Sequence, residues 1–221
     1  MGLRTWLGLK KPRVPKSASV WRVPVTDYET YRQTQNAGNA AKIDWVWAKQ
    51  PNITRLADFI GKRCGTSPNI LCHGTRNGAE QRFFKSAIPN ASVLGTDIAD
   101  TATQFPDTIQ WDFHELKPEW IGRFDAIYSN SWDHAFDPER AFANWLRCLN
   151  ANGVLLIEHT REHTPKFATD LDPFGATLRA LVELLGAIPE PRCKVLKVLV
   201  DLPDRTHYDC VVVVSVLPRP V

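Results

Sequence analysis

A single methionine, an odd handful of cysteines and no long apolar run mark this 221-residue chain, and each scarcity excludes something. A membrane-crossing helix takes about 20 consecutive apolar residues, and no stretch here comes near that length. The five cysteines, Cys64, Cys72, Cys148, Cys193 and Cys210, include no C-x-x-C pair. That speaks against a disulfide framework and against zinc held by cysteine alone, and it fits a reducing cytoplasm. Cys72 and Cys210 lie inside apolar runs, where a free thiol behaves as a small hydrophobe. No Gly-Lys-Ser/Thr occurs, which excludes a P-loop. The start does not read as a signal peptide, because the apolar part, Met1–Leu9, precedes its cations. Trp6 stands where an N-myristoylation motif wants Ser or Thr.

Excess charge is scarce too. The formal net charge is +3, too little to argue for a nucleic-acid partner. Its distribution is uneven: Arg4, Lys10, Lys11, Arg13, Lys16 and Arg22 occur with no acid among the first 22 residues. With Pro12, Pro15 and Pro24 and no clear period, residues 1–25 are expected to form an extended, poorly ordered basic arm. A solvated tail is the plain reading. Contact with an anionic partner, phospholipid or nucleic acid, is the alternative, and Trp6, Leu7 and Leu9 beside Lys10 and Lys11 suit a membrane surface.

What the chain has in quantity is apolar residues, 43% of the total, with eight Trp and ten Phe as large anchors. Their spacing gives helices first. Thr26 or Asp27 caps one through Tyr28, Tyr31 and Gln35, residues 44–49 carry Trp45 and Trp47 in another, and 54–63 repeat Leu56, Phe59 and Ile60 at helical spacing. Short apolar strands then alternate with helices: 69–72, 91–95 running on to Asp97, 109–111, 124–128 and 154–157. The intervening helices are 79–86 and the one capped by Asp137 with Pro138 in its first turn. Such alternation means a doubly wound, mostly parallel α/β sheet with both faces covered. After a helix expected over 174–185, two apolar strands, 195–202 and 208–217, are joined too closely for a crossover helix and must be antiparallel.

Ligands of such sheets sit at the carboxyl ends of the strands. The first of these loops is His73-Gly74-Thr75-Arg76-Asn77-Gly78, whose glycines allow a tight turn and close backbone approach. The next helix offers its N-terminal amides. Asp97 ends the second strand, where a carboxylate accepts two vicinal ribose hydroxyls. Asp112 follows the third strand beside Phe113, an acceptor and a ring that suit an adenine. Taken singly, Asp112 reads equally as a helix cap.

The stretch from Ile70 to Thr160 resembles the cofactor half of class I S-adenosylmethionine-dependent methyltransferases. Their first loop reads loosely apolar-apolar-Asp-x-Gly-x-Gly-x-Gly, and the sequence matches at Gly74 and Gly78 but has Cys72 for the acid and Arg76 for a glycine. Asp97 and Asp112 match the family's strand-end acids, 124–138 the stretch ending in His then Asp-Pro, and 149–158 the turn before the fifth strand. The resemblance implies a helical cap over 26–66 and a Rossmann-like domain over 67–221 with S-adenosylmethionine as cofactor. It places cofactor binding at His73, Gly74, Thr75, Arg76, Gly78, Asp97, Ile98, Asp112, Phe113 and Asn130. Cys72 removes an expected partner for the cofactor's ammonium. The runner-up ligand, a dinucleotide, wants G-x-G-x-x-G, which is not the pattern here.

Methyl transfer mostly needs alignment and exclusion of water, with a general base when the acceptor is a hydroxyl. His134 is the first candidate base, with Asp133 and His159 beside it and Glu158, Glu162 and His163 nearby. His159 and His163 stand four apart, but Thr160, Thr164 and Pro165 argue against a helix there, and no metal is assigned. The segment Ser129-Asn130-Ser131-Trp132 lacks the Asn/Asp-Pro-Pro-aromatic motif of base N-methyltransferases. The expected function is therefore O-methylation of a small-molecule or saccharide-type acceptor, in the cytoplasm or at its membrane surface. The alternative is a non-catalytic Rossmann-like binding or assembly component. Oligomeric state is not legible.

Overall fold

The computed structural model describes residues 14–217 except Lys16 and Tyr208. Most of the basic arm (Arg4, Trp6, Leu7, Leu9, Lys10, Lys11, Arg13 and Lys16) lies outside the described residues. Within them, part of that arm has a fixed place. Strand β1, Val20–Arg22, pairs antiparallel with β7, Phe174–Ala176. Arg22 also forms an ion pair with Glu139.

Seven strands build the main sheet: β2 (Asn69–His73), β3 (Ser92–Asp97), β4 (Thr108–Gln110), β5 (Phe124–Ser129), β6 (Leu149–His159), β8 (Cys193–Leu199) and β9 (Cys210–Val216). Their order is β4-β3-β2-β5-β6-β9-β8. Every pair from β4 to β6 is parallel, and β9 is antiparallel to both β6 and β8. This is the mostly parallel sheet with a closing antiparallel hairpin that the alternation of apolar runs predicts.

Successive strand residues serve opposite layers, since side chains alternate across a sheet. Ile70, Cys72, Ala126, Tyr128, Val211 and Val213 pack on α2 (Gln50–Cys64) and α3 (Ala79–Ala87), through Ile53, Leu56, Ile60 and Phe84. Leu71, Ile127, Leu155, Val212 and Val214 pack on α4 (Pro138–Cys148) and α5 (Leu178–Gly186), through Phe142, Trp145, Leu181 and Leu185. Each such large side chain, fully removed from water, contributes roughly 1.5–3 kcal/mol.

Local chemistry sets the helix starts. Asp27 caps α1 (Tyr28–Ala40), its Oδ1 accepting from the Thr30 amide at 2.8 Å. Asp137 does the same for α4 through Arg140, with Pro138 following it. Pro51 does not break a helix but sits in the first turn of α2, where its missing N–H costs nothing. Residues 44–49, expected helical, run as turn and irregular chain with Trp45, Val46 and Trp47 exposed. The helix expected over 174–185 also divides. Phe174–Ala176 is strand β7, and Thr177 then caps α5 by accepting from the Ala180 amide. Gly175 lets this strand lie close to the neighbouring chain, because a Cβ there would fall 2.9 Å from the Pro165 Cα. No helix among the described residues is long and apolar enough to cross a membrane.

Candidate active site

Three successive strand ends form the floor of one cleft. After β2 the chain doubles back, and the amides of Gly74 and Thr75 both donate to the Thr96 carbonyl, at 2.9 and 3.0 Å. Gly74 has φ +73°, and a Cβ on it would lie 2.6 Å from that of Ser131. Only glycine fits that combination of positive φ and contact. Arg76, at φ 45°, directs its amide to Asp97 Oδ2 at 2.8 Å. Its guanidinium turns to Asn39 Oδ1 and the Trp45 carbonyl, away from the loop.

Asp97, at the end of β3, is 4% exposed. Its Oδ1 accepts from Asn39 Nδ2 at 2.7 Å and from the Ala99 amide at 2.9 Å. Burial raises its pKa, opposed by the donors from Ala99 and Arg76. Asp112 is bound in parallel fashion. Its Oδ1 accepts from the His114 amide and pairs with His114 Nδ1, and its Oδ2 accepts from the Tyr28 hydroxyl at 2.9 Å. Three donors against about four acceptor directions leave each carboxylate one open direction.

Helix α1 is the roof. Tyr31, Gln35 and Asn39, four residues apart, are buried on its inner face. The cleft beneath takes these three from α1, Gly74 and Arg76 from the first loop, Asp97 and Ile98 from the second, Asp112 and Phe113 from the third, and Ser131 and His134 from the fourth.

One end of it gathers titratable groups. His134 Nδ1 lies 2.8 Å from Gln35 Oε1, and its Nε2 lies 3.4 Å from Asp172 Oδ1. Burial lowers the pKa of His134, against the attraction of Asp133 and Asp172. Asp133 is buried with Oδ1 lacking a hydrogen-bond partner among the described residues, 3.8 Å from His163 Nε2, and burial raises its pKa.

The structure thus brings together Gly74, Arg76, Asp97, Ile98, Asp112, Phe113 and His134 of the residues read from the sequence. Others face elsewhere. His73 stacks on Trp145 at 4.7 Å, its Nδ1 against Thr96 Oγ1, and burial lowers its pKa to about 3. Thr75 accepts from Gln81 through its hydroxyl, and Gly78, at φ +68°, is the N-cap of α3. Asn130 donates to the buried Glu80. His159 packs beside Trp132 with Nε2 on the Ala176 carbonyl, outside the cleft. Its partner in the four-residue spacing, His163, is turned to the Asn130 carbonyl. The sequence reading missed Gln35 and Asn39 as cleft residues, and also Asp172. A signal was present for the first two: polar side chains at four-residue spacing after Tyr31 on the apolar face of a helix. Asp172 carries no such mark.

Residues 71–157 match the family model described as a methyltransferase domain. No curated protein matches the chain. Among solved structures, 1,6-didemethyltoxoflavin N1-methyltransferase of Burkholderia thailandensis is similar over 94% of this chain and 98% of its own, with 13% identity and a TM-score of 0.65. A TehB-like methyltransferase of Corynebacterium glutamicum is similar over 86% and 100%, with 18% identity and a TM-score of 0.56. The mitomycin 7-O-methyltransferase is similar over 76% of this chain and 54% of its own, with 12% identity and a TM-score of 0.59. At these identities the structures speak for the fold, and the domain match over β2 to β6 speaks for the activity. Residues 71–157 thus form a methyltransferase domain, and the chain has the fold of class I S-adenosylmethionine-dependent methyltransferases.

Proposed function

We propose that this methyltransferase acts on a hydroxyl of a small-molecule or saccharide-type acceptor, with His134 as general base. The observation that carries the reading is the placement of His134 in the cleft with its Nε2 3.4 Å from a carboxylate. The cleft's residues fit the cofactor. Asp97 offers a buried carboxylate to ribose hydroxyls, Phe113 offers a ring face beside Asp112 to the adenine, and the close approach of Gly74 to Ser131 keeps side chains out of the first loop. Bound, S-adenosylmethionine supplies an electrophilic methyl group on its sulfonium.

The chain's own residues supply the rest. Helix α1 covers the cleft and excludes water, which strengthens each electrostatic contact inside. His134 takes the acceptor's proton at Nε2, and Asp172 stabilises the imidazolium so formed. The two similar chains named for 1,6-didemethyltoxoflavin and mitomycin support a small-molecule acceptor, one being named for a nitrogen and one for an oxygen.

The test is a screen of small alcohols, phenols, monosaccharides and amines for release of S-adenosylhomocysteine. Turnover of a hydroxyl acceptor is expected, with kcat lowered about 10²- to 10⁴-fold in His134→Asn and affinity for S-adenosylhomocysteine unchanged. Turnover of amines alone, or undiminished kcat in His134→Asn, contradicts the proposal.

A further inference from the structure

We infer that Gln35 is a positioning residue that locks His134 in the tautomer carrying its proton on Nδ1, which leaves Nε2 as the proton acceptor beside Asp172. The inference deepens the proposed function and rests on His134 being the base. A main-chain carbonyl can only accept. Leu171 O lies 2.7 Å from Gln35 Nε2, so the amide must present its NH2 there. The orientation of a glutamine is fixed by such partners. Gln35 Oε1 then faces His134 Nδ1 at 2.8 Å. An amide oxygen has no proton to give, so Nδ1 donates. In the neutral imidazole the other nitrogen is then the acceptor.

Without Gln35 the opposite tautomer is favoured, because an Nε2–H would donate to Asp172 Oδ1. That tautomer has its acceptor nitrogen on the Gln35 side of the ring and leaves Nε2 unable to take the substrate's proton. Gln35 therefore opposes a local preference, and it is built to do so. It is 2% exposed and held in the middle of α1. The segment that carries Leu171 and Asp172 is fixed by its own turn: the Thr169 hydroxyl accepts from the amides of Leu171 and Asp172 and donates to Asp172 Oδ2. Leu171 also packs into the space left by Gly38, where a Cβ would run into its Cδ1. One contact between α1 and 169–172 thus sets both partners of the imidazole. The other charges acting on His134 are Asp133, which favours its protonation with Asp172, and Lys42 and Arg76, which oppose it.

The test is long-range 1H–15N correlation spectroscopy of the full chain labelled with 15N-histidine. His134 is picked out among the six histidines by the signals lost in His134→Asn. The expected wild-type pattern is a protonated Nδ1 and a bare Nε2. Gln35→Met should convert most of the population to the Nε2–H form, and Asp172→Asn should leave the tautomer intact while lowering the pH at which His134 becomes doubly protonated. A wild-type Nε2–H form overturns the inference, as does an unchanged tautomer in a folded Gln35→Met. Should that variant not fold, the wild-type spectrum decides alone. Failure of the underlying reading looks different: His134→Asn would keep full turnover whatever the tautomer.

Discussion

Asn39, in the last turn of α1, donates a 2.7 Å hydrogen bond to Asp97 at the carboxyl end of β3, across the mouth of the cleft. Three turns earlier on the same helix, Tyr28 donates to Asp112. Helix α1 therefore occupies acceptor positions on both strand-end carboxylates, and a ribose that takes two bonds from Asp97 must displace the Asn39 amide. A net hydrogen bond is worth about 0.5–1.5 kcal/mol. Asn39→Ala should accordingly raise affinity for S-adenosylhomocysteine about two- to tenfold. Calorimetric titration reads this directly. A fall in affinity would mean that Asn39 holds the ligand instead of competing with it.

Two glycines should respond in opposite directions. Gly74→Ala forces a side chain into positive φ and onto Ser131, and should cost about 1 kcal/mol or more in urea unfolding, together with at least tenfold in ligand affinity. Among the described residues, no atom lies within 4 Å of the place a Cβ on Gly61, inside α2, would take. Gly61→Ala should stabilise by up to about 1 kcal/mol through helix propensity. Equal effects at the two sites would contradict the account of the first loop.

Glu158 is buried on β6, accepts from the Tyr128 hydroxyl at 2.7 Å and has one oxygen without a partner among the described residues. Burial, offset in part by that hydrogen bond, raises its pKa to about 7. Below the unfolded value near 4.5 the group is protonated in both states and contributes no pH dependence. As pH rises through 4.5 to 7 the unfolded chain releases the proton while the folded one keeps it, so stability falls. Glu158→Gln removes this loss. The variant should match wild type near pH 4 and be the more stable of the two at pH 8, as followed by urea unfolding at both values. A stability difference independent of pH would contradict the assignment.

The sheet was legible because its strands are short apolar runs bounded by polar loops, and periodicity alone orders such elements. The antiparallel hairpin followed from the brief polar link between its strands. Local patterns misled where tertiary partners decide. Trp45-Val46-Trp47 has the composition of a buried helix, yet the segment runs irregularly with its aromatic side chains exposed and the Trp45 carbonyl accepting from Arg76 and Asn77. Phe174–Ala176 looked like the start of a helix because its partner, Val20–Arg22, lies 150 residues away in an arm with no strand pattern of its own. In the site, strand-end residues were readable from position. The direction of a side chain was not: His73 and His159 sit at the ends of β2 and β6 but point into packing on Trp145 and Trp132.

The claim on which the rest depends is that the cleft around Asp97 holds the cofactor. The most direct measurement is calorimetric titration of S-adenosylhomocysteine into the wild-type protein and Asp97→Asn, each checked for native circular dichroism. Hydrogen bonds to a charged group are worth about 1.5–3 kcal/mol, so the variant should bind roughly 10- to 150-fold more weakly. Equal affinity in the two proteins would place the cofactor elsewhere and contradict the account.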